Sequence, residues 1–415
     1  MGNGIARGDF SAEELVIAHF KAIHRYNPRL NAYTQLYEEA ALARARSNPQ
    51  GLLGGIPLSI KDSLDIAGHP TVCGAPFRRD TKANSNALCV DRLESHGAII
   101  LGKTNTPEYL MNWETFNDVY GRTNNPRHPD YTPGGSSGGE ASAIAAHLSA
   151  GGIGSDGGGS IRLPAAACGI CGLKPTPGRI PATGHFPRIG HPGGLLGVIG
   201  PMARSIDDLR FLYRATQGHH DSDPFSAPVN RPPKPQNRRI GLVQMEATAQ
   251  LESLLPVPVE PFSNFPWDRV FETWRFFFLR LNAPFIGFPT PHTAPYFDQP
   301  PPTAEDILVN LAARDTLRAK LLAHMDRHPF ILAPIAKVPT WRHGAFPGPE
   351  SIAPLTYSNL LGLPALSIPI TLENGLPTAI QLIAKPWHEE DLLDLAEEIE
   401  RRRGSLPSAT LEAYA

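Results

Sequence analysis

The stretch from Gly54 to Gly102 opens as GGIPLSIKD (Gly54–Asp62) and closes as GAIILG (Gly97–Gly102). IPLSI and AIILG are short apolar runs of strand length, and Asn86–His96 between them has helix-like spacing. Strands crossed by helices in this rhythm predict an α/β sheet. The rhythm returns near the end of the chain. Ala365–Ile370 and Thr378–Ala384 read as strands joined by an Asn374-Gly375 turn, and Glu389–Arg402 reads as an amphipathic helix.

The other segments fill in around this frame. Residues 11–46 read as mostly helical, with Ser11 and Glu14 as a capping box and Val16, Phe20 and Ile23 on one face; Asn27-Pro28 is expected to end the first helix. Glu140–Ser149 is alanine-rich and helix-forming, so glycine loops are expected to flank a helix between Gly134 and Gly200. Pro224–Asn237 reads as a polar, proline-rich linker or surface loop, Ile240–Val243 as a strand, and Trp267–Leu281 as a bulky aromatic helix. Residues 283–302 hold many prolines and are expected to be irregular, while Thr303–Arg327 is helical with Thr303 and Asp306 as its cap. No internal repeat is visible.

Composition narrows the function. The 415 residues are 41% hydrophobic and 19% charged, and the net charge of −2 gives no field that would gather nucleic acid or an anionic membrane. A small neutral partner is the expectation. Cys73, Cys89, Cys168 and Cys171 are too few for a disulfide framework, and Cys168-x-x-Cys171 reads as packing rather than a metal or redox pair. No apolar run reaches the roughly 18 residues of a spanning helix. Together these features predict a cytoplasmic enzyme.

The glycine segments could serve as phosphate cradles, oxyanion holes or turns. No Gly-Lys-Ser/Thr follows either segment, which removes a P-loop. Gly152, Gly154 and Gly157 satisfy G-x-G-x-x-G, yet no acidic residue follows Gly157 until Asp207. The oxyanion reading is stronger, because Gly157, Gly158 and Gly159 run directly into Ser160. A serine needs a base, and none of the 15 histidines is an obvious partner. The G-x-S-x-G elbow also fails at Ser160. A lysine can serve instead if burial keeps it neutral, and Lys61 follows the apolar strand Ile56–Ile60. Taken alone, Ser160 could cap a helix, Ser136 could be a turn residue, and Lys61 could be a solvated strand end. Their combination outweighs those readings.

With GKTNTPE (Gly102–Glu108), GGSSGGEASA (Gly134–Ala143), GSDGGGSIRLPA (Gly154–Ala165) and GLKPTPGRIP (Gly172–Pro181) added to GGIPLSIKD, the chain resembles the amidase signature family. The likeness continues through GPMARSIDDL (Gly200–Leu209), NLLGLPALSIP (Asn359–Pro369) and GLPTAIQLIAKP (Gly375–Pro386). It implies a Ser-Ser-Lys triad, with Ser160 as nucleophile, Ser136 as bridging serine and Lys61 as base. Gly157, Gly158 and Gly159 would supply oxyanion N–H groups. Ser137 would help position Lys61, Asp156 and Arg162 would form a buried pair, and the Gly135-Ser136 peptide would be cis. It also implies a single large α/β domain over 1–415, a twisted mixed sheet with helices on both faces. Within it 54–210 is the signature core, 220–345 a shortened variable region, and 346–415 the C-terminal part of the sheet. The initial helix of the family looks absent. Neither metal nor organic cofactor is implied, and a homodimer is compatible with it.

Lys103, Asn105 and Glu108 are read as loop-closing residues outside the site, and the aromatic run Trp274–Phe278 as core. His185 and His191 in GHFPRIGHPGGLLG (Gly184–Gly197) are possible pocket residues that one sequence cannot rank. Three functions follow: a stand-alone amidase, the glutaminase-type component of a tRNA-dependent amidotransferase, and a binding scaffold that has lost turnover. Leu163 after Ser-Ile-Arg, and Ile180-Pro181-Ala182 after Gly-Arg, favour the first.

Overall fold

The glycine-rich sequence from Gly151 to Asp156, expected as a loop, is a central strand. The computed structural model describes residues 1–190, 196–245, 248–282, 294–297, 299–337 and 340–414. In chain order, α1 (Gly2–Arg7) and α2 (Ala12–Leu30) lead to β1 (Tyr33–Leu36), and α3 (Glu38–Arg46) leads to β2 (Pro57–Lys61). Then come α4 (Leu88–Ser95), β3 (Ile99–Thr104), a small ribbon of β4 (Phe116–Asn117) and β5 (Gly121–Arg122), and α5 (Gly138–Ala145). The centre is β6 (Gly151–Asp156), α6 (Arg162–Cys168), β7 (Cys171–Lys174), β8 (Val198–Ala203) and α7 (Ile206–Thr216). β9 (Ile240–Leu242), α8 (Ala249–Leu254), β10 (Val259–Pro261), α9 (Trp267–Arg275), α10 (Ala294–Phe297) and α11 (Ala304–His324) form the variable region. The chain closes with β11 (Phe330–Pro334), α12 (Ala353–Leu360), β12 (Ala365–Glu373), β13 (Leu376–Ala384) and α13 (Glu389–Arg403).

Among the described residues, eleven strands form one mixed sheet in the order β1-β3-β2-β6-β8-β7-β12-β13-β11-β9-β10. β3, β2 and β6 are parallel neighbours, β8, β7, β12 and β13 continue antiparallel, and β11, β9 and β10 are parallel again. Alternation along β2 divides its side chains: Leu58 and Ile60 join the core under α4, α7 and α13, while Ser59 and Lys61 take the opposite face, toward α5. Each such fully buried Leu or Ile contributes roughly 1.5–3 kcal/mol. A second core, built on α9, α11 and α12, covers the other face through Trp274, Leu355 and Ile383. Helices therefore lie on both faces of the sheet, as expected, in a single α/β domain.

Several boundaries differ from those read in the sequence. Pro28 does not end α2; the helix continues to Leu30 and closes on Asn31 in the left-handed region at φ 54°. So near the C-terminus the proline forfeits only one helical N–H bond. Gly151–Asp156 is a strand because β2 and β8 pair with it on both sides. Gly152 has to be glycine, since a Cβ there would stand 1.8 Å from Glu140 Oε1. The aromatic helix is α-helical only to Arg275 and continues as a π-helical turn, Phe276–Arg280. Beyond β9, where the sequence predicts no helix before Leu254–Phe262, α8 makes a short crossover into β10. A short helix, α1, does precede α2, where none was expected. Of the segment expected to be irregular, residues 283–293 lie outside the described residues and 294–297 are helical.

Candidate active site

Lys61 ends β2 one residue later than the strand read from sequence, and its side chain lies on the face of the sheet toward α5. It is completely buried. Its Nζ lies 2.7 Å from Ser136 Oγ, 2.8 Å from Ser137 Oγ and 3.1 Å from Ser155 Oγ. Burial pulls the amine down to about 7, against the opposing negative charge of Asp156 and Glu140. A neutral amine has two N–H donors and one lone pair, which matches three hydroxyl neighbours. Ser155 is a partner that the sequence reading missed. Its signal is its place in β6, within the same Gly-Ser-Asp-Gly run as Asp156.

Ser136 and Ser137 open α5, and the peptide between Gly135 and Ser136 is cis. The Ser160 loop is tied to them by a hydrogen bond from Ser137 N to Ser160 O at 3.1 Å. Ser160 is 7% exposed and lines a cavity of about 330 Å³ together with Ser136. Leu110, Met111, Ile189, Val198 and Phe278 give this cavity an apolar wall. Phe278 thus faces the pocket, although the run to which it belongs was read as core; Trp274 and Phe277 are buried as expected.

Two indoles shape the glycine loop. Trp274 Nε1 donates to Gly157 O at 2.9 Å, and Trp113 Nε1 donates to Gly158 O at 3.1 Å. In a trans peptide the next N–H points away from its carbonyl, so the Gly158 and Gly159 amides face away from the indoles. Gly159 spends its N–H on Asp156 Oδ1 at 2.7 Å. The Gly157, Gly158 and Ser160 amides have no such partner among the described residues.

Asp156 and Arg162 do form a buried pair, doubly bonded through Nε to Oδ2 and Nη2 to Oδ1, both at 3.0 Å. Arg162 also reaches Gln381 at 2.8 Å and Asn359 at 2.6 Å, and Asn359 returns an N–H to Asp156 Oδ1 at 3.0 Å. Burial alone would raise the Asp156 carboxyl, but the Arg162 guanidinium, Lys174 and Asn359 hold it well below the usual range. Asn359 and Gln381 lie about 200 positions away, with separations of 197 and 219 from Arg162, and sequence reasoning did not find them.

Beneath Lys61, Glu140 Oε1 accepts from Ser59 Oγ at 2.5 Å and Oε2 accepts from Thr104 Oγ1 at 2.6 Å. Thr104 is the register partner of Lys61 across β2 and β3, so Glu140 clamps the two strands where the lysine leaves them. Lys103, set aside in the sequence, is ion-paired with Asp62 at 3.3 Å, and Asn105 is bonded to Thr123 and Asn117. Glu108 does not line the cavity. Cys168 and Cys171 are buried free thiols pushed up by burial. His185 lines the cavity, whereas His191 lies outside the described residues. No helix among the described residues is long and apolar enough to cross a membrane.

The amidase family's sequence profile matches residues 14–253 and 302–393. The chain belongs to the amidase family. Within it, the chain is 32% identical to an indoleacetamide hydrolase of Bradyrhizobium diazoefficiens, over 97% of the chain and 85% of that protein. It is also 32% identical to a glutamyl-tRNA(Gln) amidotransferase component from Thermus thermophilus, over 94% of the chain and 93% of that protein. Counterparts of that component in other bacteria match at about 40% but over about half the chain, which spans less than half of their own length. Among solved structures, a protein from a vestigial complex related to an s-triazine catabolic enzyme superposes with a TM-score of 0.85. It is 26% identical, with 99% of this chain and 98% of that one covered.

Proposed function

We propose that this amidase-family chain hydrolyses a carboxylic amide through a Ser160 acyl-enzyme. The observation that carries the reading is the fully buried Lys61 amine set 2.7 Å from Ser136, with Ser136 and Ser160 lining one cavity. Neutral Lys61 accepts the Ser136 proton as Ser136 takes the proton of Ser160, whose oxygen adds to the amide carbon. The developing oxyanion meets the Gly157, Gly158 and Ser160 amides, with Gly159 held out of that role by Asp156. The relay then reverses and the leaving nitrogen gains the proton. Water attacks the acyl-enzyme by the same route and releases a carboxylate.

The apolar wall and a cavity of about 330 Å³, small among ligand pockets, suit a flat apolar acyl group. Together with the likeness to an indoleacetamide hydrolase, this makes arylacetamides the first substrates to try. Ammonia release from a panel of primary amides by the purified chain tests the reading. Turnover of arylacetamides is expected; silence on every amide would overturn it. The near full-length likeness to the Thermus amidotransferase component supports a second reading, a glutaminase that works only with partner proteins. Release from glutamine alone, and only with copurified partners, would favour that alternative.

A further inference from the structure

Among the polar residues of the cavity wall, His185 holds a buried acceptor with no partner among the described residues. His185 follows Gly184, whose φ of +85° and close approach to Ala87 require glycine. The segment is pinned beside the end of β2: Asp65 N donates to Gly184 O at 2.9 Å, and Phe186 N to Ser63 O at 2.7 Å. The imidazole is therefore held on a fixed backbone. It is 8% exposed and forms part of the wall of the cavity that Ser136 and Ser160 also line.

Its two nitrogens are in different situations. Nδ1 lies 2.7 Å from Pro187 O, and a carbonyl oxygen only accepts, so Nδ1 carries the ring proton. Nε2 is buried and has no hydrogen-bond partner among the described residues. Burial, with Lys61 adding to it, brings the ring down to about 3 against the Pro187 bond, so Nε2 stays an unprotonated acceptor at any working pH. A buried acceptor left unpaired is unfavourable, and a site built around one selects ligands that bring a donor. Alternative acceptors nearby are engaged: Gly157 O is held by Trp274, and the Asp156 carboxylate by Arg162.

Resting on the amide-hydrolysis reading, we propose that His185 is a specificity-determining residue whose Nε2 accepts an N–H carried by the ring of the acyl group. The preferred substrates are then primary amides of N–H heteroaryl acids, ahead of their N-alkylated or carbocyclic counterparts. Arg188, which also lines the cavity, supplies only donors; Asn282 donates its Nδ2 to Phe278 O at 3.2 Å and keeps Oδ1 as an acceptor, so the loss of preference in His185→Phe is what assigns the contact to His185.

The experiment compares indole-3-acetamide with 1-methylindole-3-acetamide in the wild type and in His185→Phe. Wild type should favour the N–H substrate about tenfold or more in kcat/KM, and in the variant the ratio of the two kcat/KM values should fall to about one. Equal turnover of the pair by wild type, or a preference that survives in His185→Phe, overturns the inference. A binding measurement keeps the question separate from hydrolysis and from folding of that variant. In Ser160→Ala labelled with ¹⁵N-histidine, indole-3-acetamide should move the His185 Nε2 resonance and 1-methylindole-3-acetamide should not. Identical responses to both ligands, or to neither at saturation, also overturn it, whereas failure of all amides to turn over would count against the amidase reading alone.

Discussion

Lys61 concentrates the chemistry at the scale of single residues. Its ordinary value of 10.5 falls to about 7 because burial disfavours the ammonium. The folded protein consequently binds fewer protons than the unfolded chain between about 7 and 10.5, so this group's contribution to stability improves as pH rises through that window. In the proposed mechanism activity needs the free amine, and kcat/KM should rise with pH through an acidic limb near 7 and then level off. Burial raises the Glu140 carboxyl itself to about 7, so its charge opposes the loss of the Lys61 proton only in the ionised fraction, and Glu140→Gln should carry that limb to modestly lower pH. Tyr33, which faces Glu140, is held protonated by burial and does not titrate in this range. A pH profile of ammonia release measures both effects. A limb that stays in place in Glu140→Gln would show that the carboxyl only clamps Ser59 and Thr104.

At the scale of elements, the Asp156–Arg162 pair joins the end of β6 to the start of α6, and Asn359 and Gln381 extend it to α12 and β13. Four elements share one buried charge pair. Asp156→Asn leaves the guanidinium without its counter-charge and should cost about 3–5 kcal/mol in urea unfolding. A loss below about 1 kcal/mol, the level of an exposed pair, would mean that Asn359 and Gln381 satisfy Arg162 unaided. The same elements show what was legible. Apolar runs with period two or 3.6 announced β2, β3, β12, β13 and α13, because burial of one face is written into the spacing. β6 was not announced: Gly151, Gly152 and Gly154 have low strand propensity, and their pairing comes from β2 and β8. The partition of the aromatic run was hidden too, since a π-turn shifts which ring reaches the cavity, and Phe278 takes the place that a regular helix would have assigned differently.

The whole molecule explains why candidate site residues could be picked from the sequence while their surroundings could not. Lys61, Ser136, Ser160 and the glycines sit in dense local motifs; the fold brings the Ser136 and Ser160 motifs to one cavity and sets Lys61 against Ser136. Ser155, Asn359 and Gln381 contribute by long-range contact through side chains with no local pattern of their own. Pocket chemistry is likewise a product of the assembled fold, drawn from Leu110, Val198 and Phe278 on separate segments. Substrate preference is consequently the property that sequence leaves open longest.

The account rests on Ser160 as the nucleophile, and the most direct measurement is intact-mass and peptide mapping after treatment with a serine-reactive fluorophosphonate. One adduct per chain on Ser160, absent from Ser160→Ala and strongly slowed in Lys61→Ala, is the predicted result. No adduct on a folded wild-type chain, or an adduct at another serine that persists in Ser160→Ala, would contradict it.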